Sequence, residues 1–113
     1  MNKKELNTIL KLKYNKTNEN KVIKALENME DNLANTKHNL KEDKELRFEL
    51  ELLEDDSLDL TVLNDEIEKN ERIIENWIKP CVRKLKKKEL EFVRIRRKED
   101  IEKVKKELKN SGK

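Results

Sequence analysis

LNDEIEKNERIIENWIKPCVRKL, residues 63–85, contains the chain's only Trp, only Pro and only Cys. Leu63, Ile67, Ile74, Ile78, Cys81 and Leu85 follow one another by steps of four, seven, four, three and four. That spacing places them on one stripe of an α-helix and rules out the two-residue alternation of a strand. Trp77 falls beside the stripe, where a large flat side chain can anchor a second element or a partner. Pro80 lies inside the same pattern. It removes one backbone donor and crowds the preceding turn, which predicts a kink or a new helix start there.

Toward the N-terminus, Asp55-Asp56-Ser57 reads as a connection, with Ser57, Asp59 or Thr61 as the next N-cap. Residues 45–54, ELRFELELLE, fit two patterns. Leu46, Phe48, Leu50 and Leu52 alternate like a strand, whereas Leu46, Leu50 and Leu53 fit a helix. Glu and Leu favour helix and a lone strand has nothing to pair with, so helix is expected. Residues 21–42 carry three heptads, with Val22, Met29 and Thr36 at one position and Leu26, Leu33 and Leu40 at the other. This is a coiled-coil-type seam whose partner is either another helix of this chain or another protein. Residues 15–20, NKTNEN, are polar and rich in capping residues, and predict a break. Residues 1–15 read as a short helix with Leu6, Ile9, Leu10 and Tyr14 on one face and Lys3, Lys4, Lys11 and Lys13 around it. As an amphipathic cap or as a nucleic-acid arm, this helix reads equally well.

Beyond Pro80 the chain turns basic. From Lys79 onward there are 15 Lys and Arg against 6 Asp and Glu, a local net of +9 in a chain of net +3. Two runs dominate, Arg83, Lys84, Lys86, Lys87 and Lys88, then Arg94, Arg96 and Arg97. Leu90, Val93, Ile101, Val104 and Leu108 leave only a thin apolar stripe. A basic tail on an acidic body points to a polyanion, an acidic protein surface or a solvated helix. No aromatic residues interleave these runs in the way that stacking on single-stranded bases requires.

Composition narrows the function. Charged residues make up 47% of the 113 and hydrophobic ones 34%, with a single Gly and a single Pro. Sandwiches and dinucleotide-binding folds need turn residues that are missing here. No apolar run approaches the roughly 20 residues of a membrane span. No apolar stretch follows the first lysines, so no secretory signal is expected. One Cys forms no internal disulfide, which favours a reducing compartment. With one Gly there is no phosphate-binding loop, and one His and one Cys build neither a zinc site nor a nucleophile–base pair. His38 falls off the Leu26, Leu33 and Leu40 seam as a surface residue, and Cys81 reads as a small buried hydrophobe. Neither enzymatic activity nor a cofactor or metal is expected.

Leu63-Asn64-Asp65-Glu66-Ile67, followed by Arg72 and Trp77, resembles the central motif of the Isy family of pre-mRNA splicing factors, components of the spliceosomal NineTeen complex. That family has a Leu-Asn-Asp-Glu-Ile/Leu segment with a Trp at this spacing, then a basic residue and a Leu, matched here by Arg83 or Lys84 and Leu85. Asn7-Thr8-Ile9-Leu10 with Tyr14 is similar to a diverged form of the family's N-terminal helix. Glu68 departs from the family's usual Asn, and the glycine pair after the motif is missing. So is the family's Tyr-Phe-Gly-containing C-terminal region. The resemblance implies a nuclear, non-enzymatic spliceosome component that supports the branching step. Its partners would be Syf-type helical-repeat proteins and the large core splicing protein, with snRNA or pre-mRNA nearby. It makes Leu63, Asn64, Asp65, Glu66, Ile67 and Trp77 partner-docking residues. It also makes Lys3, Lys4 and Thr8 RNA-proximal, with Lys11 and Lys13 on the same arm.

The expected fold is all-α: elongated helices forming a small antiparallel hairpin or bundle, with a short N-terminal helix and a basic C-terminal helix. The expected divisions are 1–15, 16–62 and 63–113. Two other readings stand beside the splicing one. One is a three-helix chaperone, since Ile78 to Leu85 loosely resembles a segment of tubulin-binding cofactor A. The other is a generic coiled-coil adaptor.

Overall fold

The computed structural model describes residues 1–54 and 58–111, and these are helical with short connections. The helices are α1 (Lys3–Leu10), α2 (Lys16–Leu52), α3 (Leu58–Ile73) and α4 (Lys79–Ser111). A π-helical turn, Ile74–Ile78, joins α3 to α4. The all-α architecture and the short N-terminal helix are as the sequence predicts. Residues 45–52 belong to α2, so the helical reading of the ambiguous Leu-rich stretch is the correct one.

Asparagines start the first two helices. The Asn2 Oδ1 accepts from the Glu5 backbone N–H at 2.8 Å, and Asn15 Oδ1 accepts from that of Asn18 at 2.7 Å. Each satisfies a donor that a helix N-terminus leaves orphaned. The break therefore lies at 11–15, and residues 16–20 are already helix, contrary to the polar-break expectation. Composition misled because Asn15 caps the helix, whereas Asn18 and Glu19 lie within its first turn. Tyr14 lies on the linker and not on the α1 face. α2 ends at Leu52, and Glu54 takes a left-handed φ of 53°. A chain with so little glycine uses a glutamate where Gly is the cheaper residue. Asp55, Asp56 and Ser57 lie outside the described residues; Asp59 and Thr61 sit inside α3, not at its cap.

At Pro80 the helical path continues. The Lys79 backbone N–H bonds to the Ile74 carbonyl, five residues back. A regular turn would press the Pro80 ring against the Asn76 carbonyl, and would lack the donor for it. The wider π turn immediately before the proline makes room for the ring.

Contacts divide the chain into two units, Met1–Leu26 with Lys84–Lys113, and Glu27–Arg83. In the second unit α2 runs antiparallel to α3 and the start of α4. Lys44 Nζ pairs with Glu71 at 3.0 Å, while Arg47 donates to Asn64 Oδ1 at 3.4 Å. Its core holds Met29, Ile67, Ile74, Ile78 and Cys81. The first unit buries Leu6, Val22, Ala25, Leu26, Leu85 and Phe92. The α2 heptads thus face inward: Val22, Leu26 and Met29 are buried, and Leu33, Thr36 and Leu40 are half-buried.

Candidate functional site

In the Leu63–Ile67 motif, helical geometry separates the five residues by facing direction. Ile67 is 3% exposed and belongs to the core of the second unit, and Leu63 is half-buried. Asn64, Asp65 and Glu66 face solvent, with Asn64 held by Arg47 of α2. Only these three of the five present polar side chains on the surface. Trp77 is half-buried within the π turn. Leu63 and Glu66, with Asp43, Leu46, Leu50 and Val62, line a groove of about 300 Å³.

A second groove of about 380 Å³ runs between α2 and the π turn, lined by Lys37, Leu40, Lys44, Glu71, Ile74, Glu75 and Lys79. Its lining carries both charges, with Lys44 paired to Glu71 and Lys79 to Glu75. A hydrogen bond from Lys79 holds the Glu75 carboxyl below the usual carboxylate range. Partial desolvation opposes this, while the charges of Lys79, Arg83 and Lys37 reinforce it. Such a groove suits a zwitterionic protein surface better than a polyanion.

α1 is packed and not a free arm. Leu6 is 3% exposed, and Ile9 and Leu10 are half-buried. The ring of Tyr14, on the linker, lies 5.5 Å from Phe92 of α4 at an interplanar angle of 47°. Lys3, Lys4, Lys11 and Lys13 are exposed around this anchored helix. The Thr8 hydroxyl donates to the Lys4 carbonyl at 3.0 Å. Leu10 joins Lys84, Lys87, Lys88 and Glu91 in lining a groove of about 490 Å³.

The basic residues of α4 divide by face. Arg83, Lys84, Lys86, Lys87, Arg94, Arg96 and Arg97 are exposed. Two basic residues, however, are used internally. The Lys88 side chain is only 11% exposed; its ammonium lies 4.9 Å over the Phe92 ring and 3.6 Å from Glu91. Arg96 Nε lies 3.3 Å from Glu19 Oε2, an oxygen that is buried and outside hydrogen-bonding geometry. Val93 is half-buried whereas Leu90, Ile101, Val104 and Leu108 are exposed, so the thin stripe read from the sequence is mostly left uncovered.

Sequence reasoning missed the cluster of Tyr14, Glu19 and Arg96. Desolvation raises the Tyr14 pKa, carboxylates at Glu19, Glu99 and Asp100 add to it, and Arg96 opposes. The available signal was the seven-residue step from Glu19 through Leu26 to Leu33, which sets a glutamate on the seam. Among the described residues no group of His, Cys, Asp and Glu is arranged to hold a metal ion. No described helix is long and apolar enough to cross a membrane. No protein-family model, no curated protein and no solved structure matches the chain.

Proposed function

We propose that this chain is a non-enzymatic, nuclear splicing factor of the Isy kind, which docks on Syf-type helical-repeat proteins and supports the branching step. The observation that carries the reading is the Leu63–Ile67 motif with Trp77 at the family's spacing. The fold is compatible with docking, since Asn64, Asp65 and Glu66 are exposed on α3. Trp77 keeps part of its ring accessible. In this reading Ile67 acts from inside, by fixing the helix that displays its neighbours. Lys3 and Lys4, on a helix already ordered by Leu6, and Lys11 and Lys13 just after it supply positive charge near RNA.

The test is a tagged pull-down from the source cell, read by mass spectrometry and RNA sequencing. Syf-type repeat proteins recovered with spliceosomal small nuclear RNAs support the proposal, and Trp77→Ala should reduce that recovery. Absence of both from the wild-type eluate overturns it. A second reading, a chaperone like tubulin-binding cofactor A, draws on the buried α2 seam at Val22, Leu26 and Met29, which suits a self-standing bundle. Recovery of β-tubulin without RNA selects that reading.

A further inference from the structure

α4 carries a second periodicity on the side turned away from its core. Lys87, Leu90, Arg94, Arg97, Ile101 and Val104 are separated by three, four, three, four and three residues, the spacing of a coiled-coil seam. All six are exposed, Leu90 and Ile101 at 55% and Val104 at 52%. At 100° per residue their mean direction lies about 160° around the helix from the buried Leu85 and Phe92. The core of the first unit therefore uses the opposite face.

Every residue from Arg96 to Asn110 is exposed, yet this whole stretch is helical. A helix of that length without a packed face is marginal in water, so a partner that covers it adds stability. Asp100, Ile101, Val104 and Lys105 line a dent of about 230 Å³. Residues at i, i+3 and i+4 are the walls of the hole that accepts a knob from a facing helix.

We propose that this outward seam docks an acidic amphipathic helix of a partner protein. In that complex carboxylates meet Lys87, Arg94 and Arg97, and an aliphatic side chain enters the dent at Ile101 and Val104. Charge selects this occupant. A second copy laid parallel sets Arg94 and Arg97 against themselves, and one laid antiparallel sets them against Ile101 and Val104. Both leave guanidinium groups without counter-charge. Nucleic acid satisfies the arginines but gains nothing from the aliphatic Leu90, Ile101 and Val104. This inference does not depend on the splicing reading.

The experiment uses the full chain and a labelled synthetic peptide of three heptads, with Leu at a and d and Glu at e and g. Fluorescence anisotropy compares it with the same peptide carrying Lys at e and g, and with a uridine-rich single-stranded RNA. The acidic peptide is expected to bind about tenfold or more tighter than the lysine peptide. Ile101→Gln with Val104→Gln, and separately Arg94→Glu with Arg97→Glu, are each expected to weaken it about tenfold. All four positions are on the surface, and circular dichroism confirms that helicity is kept. Equal affinity for the two peptides overturns the proposal. Loss in the arginine variant alone, with RNA bound more tightly than peptide, assigns a polyanion surface instead. A dimer of the chain alone that disappears with Ile101→Gln and Val104→Gln assigns a second copy.

Discussion

Replacing Phe92 by alanine tests the packing logic of the first unit directly. Phe92 is 1% exposed, with the Tyr14 ring centroid 5.5 Å away and the Lys88 ammonium 4.9 Å over its face. Deleting a fully buried aromatic ring costs about 3–5 kcal/mol in transfer and cavity terms. The ring pair adds about 0.5–1.5 kcal/mol beyond burial, and the cation about 0.5–1 kcal/mol. Burial therefore dominates, and the expected loss for Phe92→Ala lies near 4 kcal/mol, within the 3–5 kcal/mol span. That is a large share of a typical domain's 5–15 kcal/mol, roughly speaking. Phe92→Leu keeps most of the volume and should cost only about 1–1.5 kcal/mol. The assay is urea unfolding followed by circular dichroism, comparing midpoints at a constant slope. A double-mutant cycle of Tyr14→Leu with Phe92→Leu isolates the ring–ring term, expected at about 0.5–1.5 kcal/mol. A loss below about 2 kcal/mol for Phe92→Ala, against the 3–5 kcal/mol expected of a closed core, refutes the reasoning.

Arg96→Ala leaves the Glu19 carboxylate buried without its counter-charge. Because the Arg96 side chain is 46% exposed, the cost should be about 1–3 kcal/mol, less than for a fully buried pair. Adding Glu19→Gln should recover most of it in the same unfolding assay, and no recovery argues against the pairing. Tyr14 provides a pH test. Its folded pKa is raised, so its contribution to stability is complete below the unfolded value of about 10 and is lost as pH rises through the folded value. The chain has one tyrosine, so an ultraviolet absorbance titration reads it alone, and ionisation at or below the free-tyrosine pKa contradicts the packing. Glu75 works in the other direction. Its depressed pKa adds stability above the unfolded carboxylate value, lost as pH falls through the folded one. At this exposed site the effect should be slight and should fade with salt, and an effect that persists in molar salt rejects that origin. Glu54→Gly should stabilise the end of α2 by up to about 1 kcal/mol, because glycine takes a positive φ without steric cost. A lowered unfolding midpoint opposes that account.

How much of this was legible beforehand depended on how local the signal was. The α2 heptads are a local pattern, and they put Val22, Leu26 and Met29 on one apolar seam; that this seam is covered within the chain came from the structure. The stripe from Ile67 through Leu85 was legible for the same reason, since a 3.6-residue repeat fixes which side chains share a face. The N-terminal boundary was not. Asn15, Asn18 and Glu19 are all polar, and only the geometry of the first turn shows which one caps. The candidate site divides likewise. The spacing from Leu63 to Trp77 was readable, but not that Ile67 turns into the core while Asn64, Asp65 and Glu66 face solvent.

By itself the sequence determined that this chain is helical, lacks the glycines of a phosphate loop, and carries its positive charge toward one end. These follow from composition and repeat, which act residue by residue along the chain. Only the tertiary structure decided that Tyr14 meets Phe92, that Lys88 lies over the Phe92 ring, that Arg96 pairs with Glu19, and that a π turn precedes Pro80. It also showed that Leu90, Ile101 and Val104 stay outside while Val93 is half-covered. The physical reason is that burial is a property of pairs of surfaces. A helix with two apolar faces does not specify which face finds its partner within the chain; the side chains of the facing helix decide that.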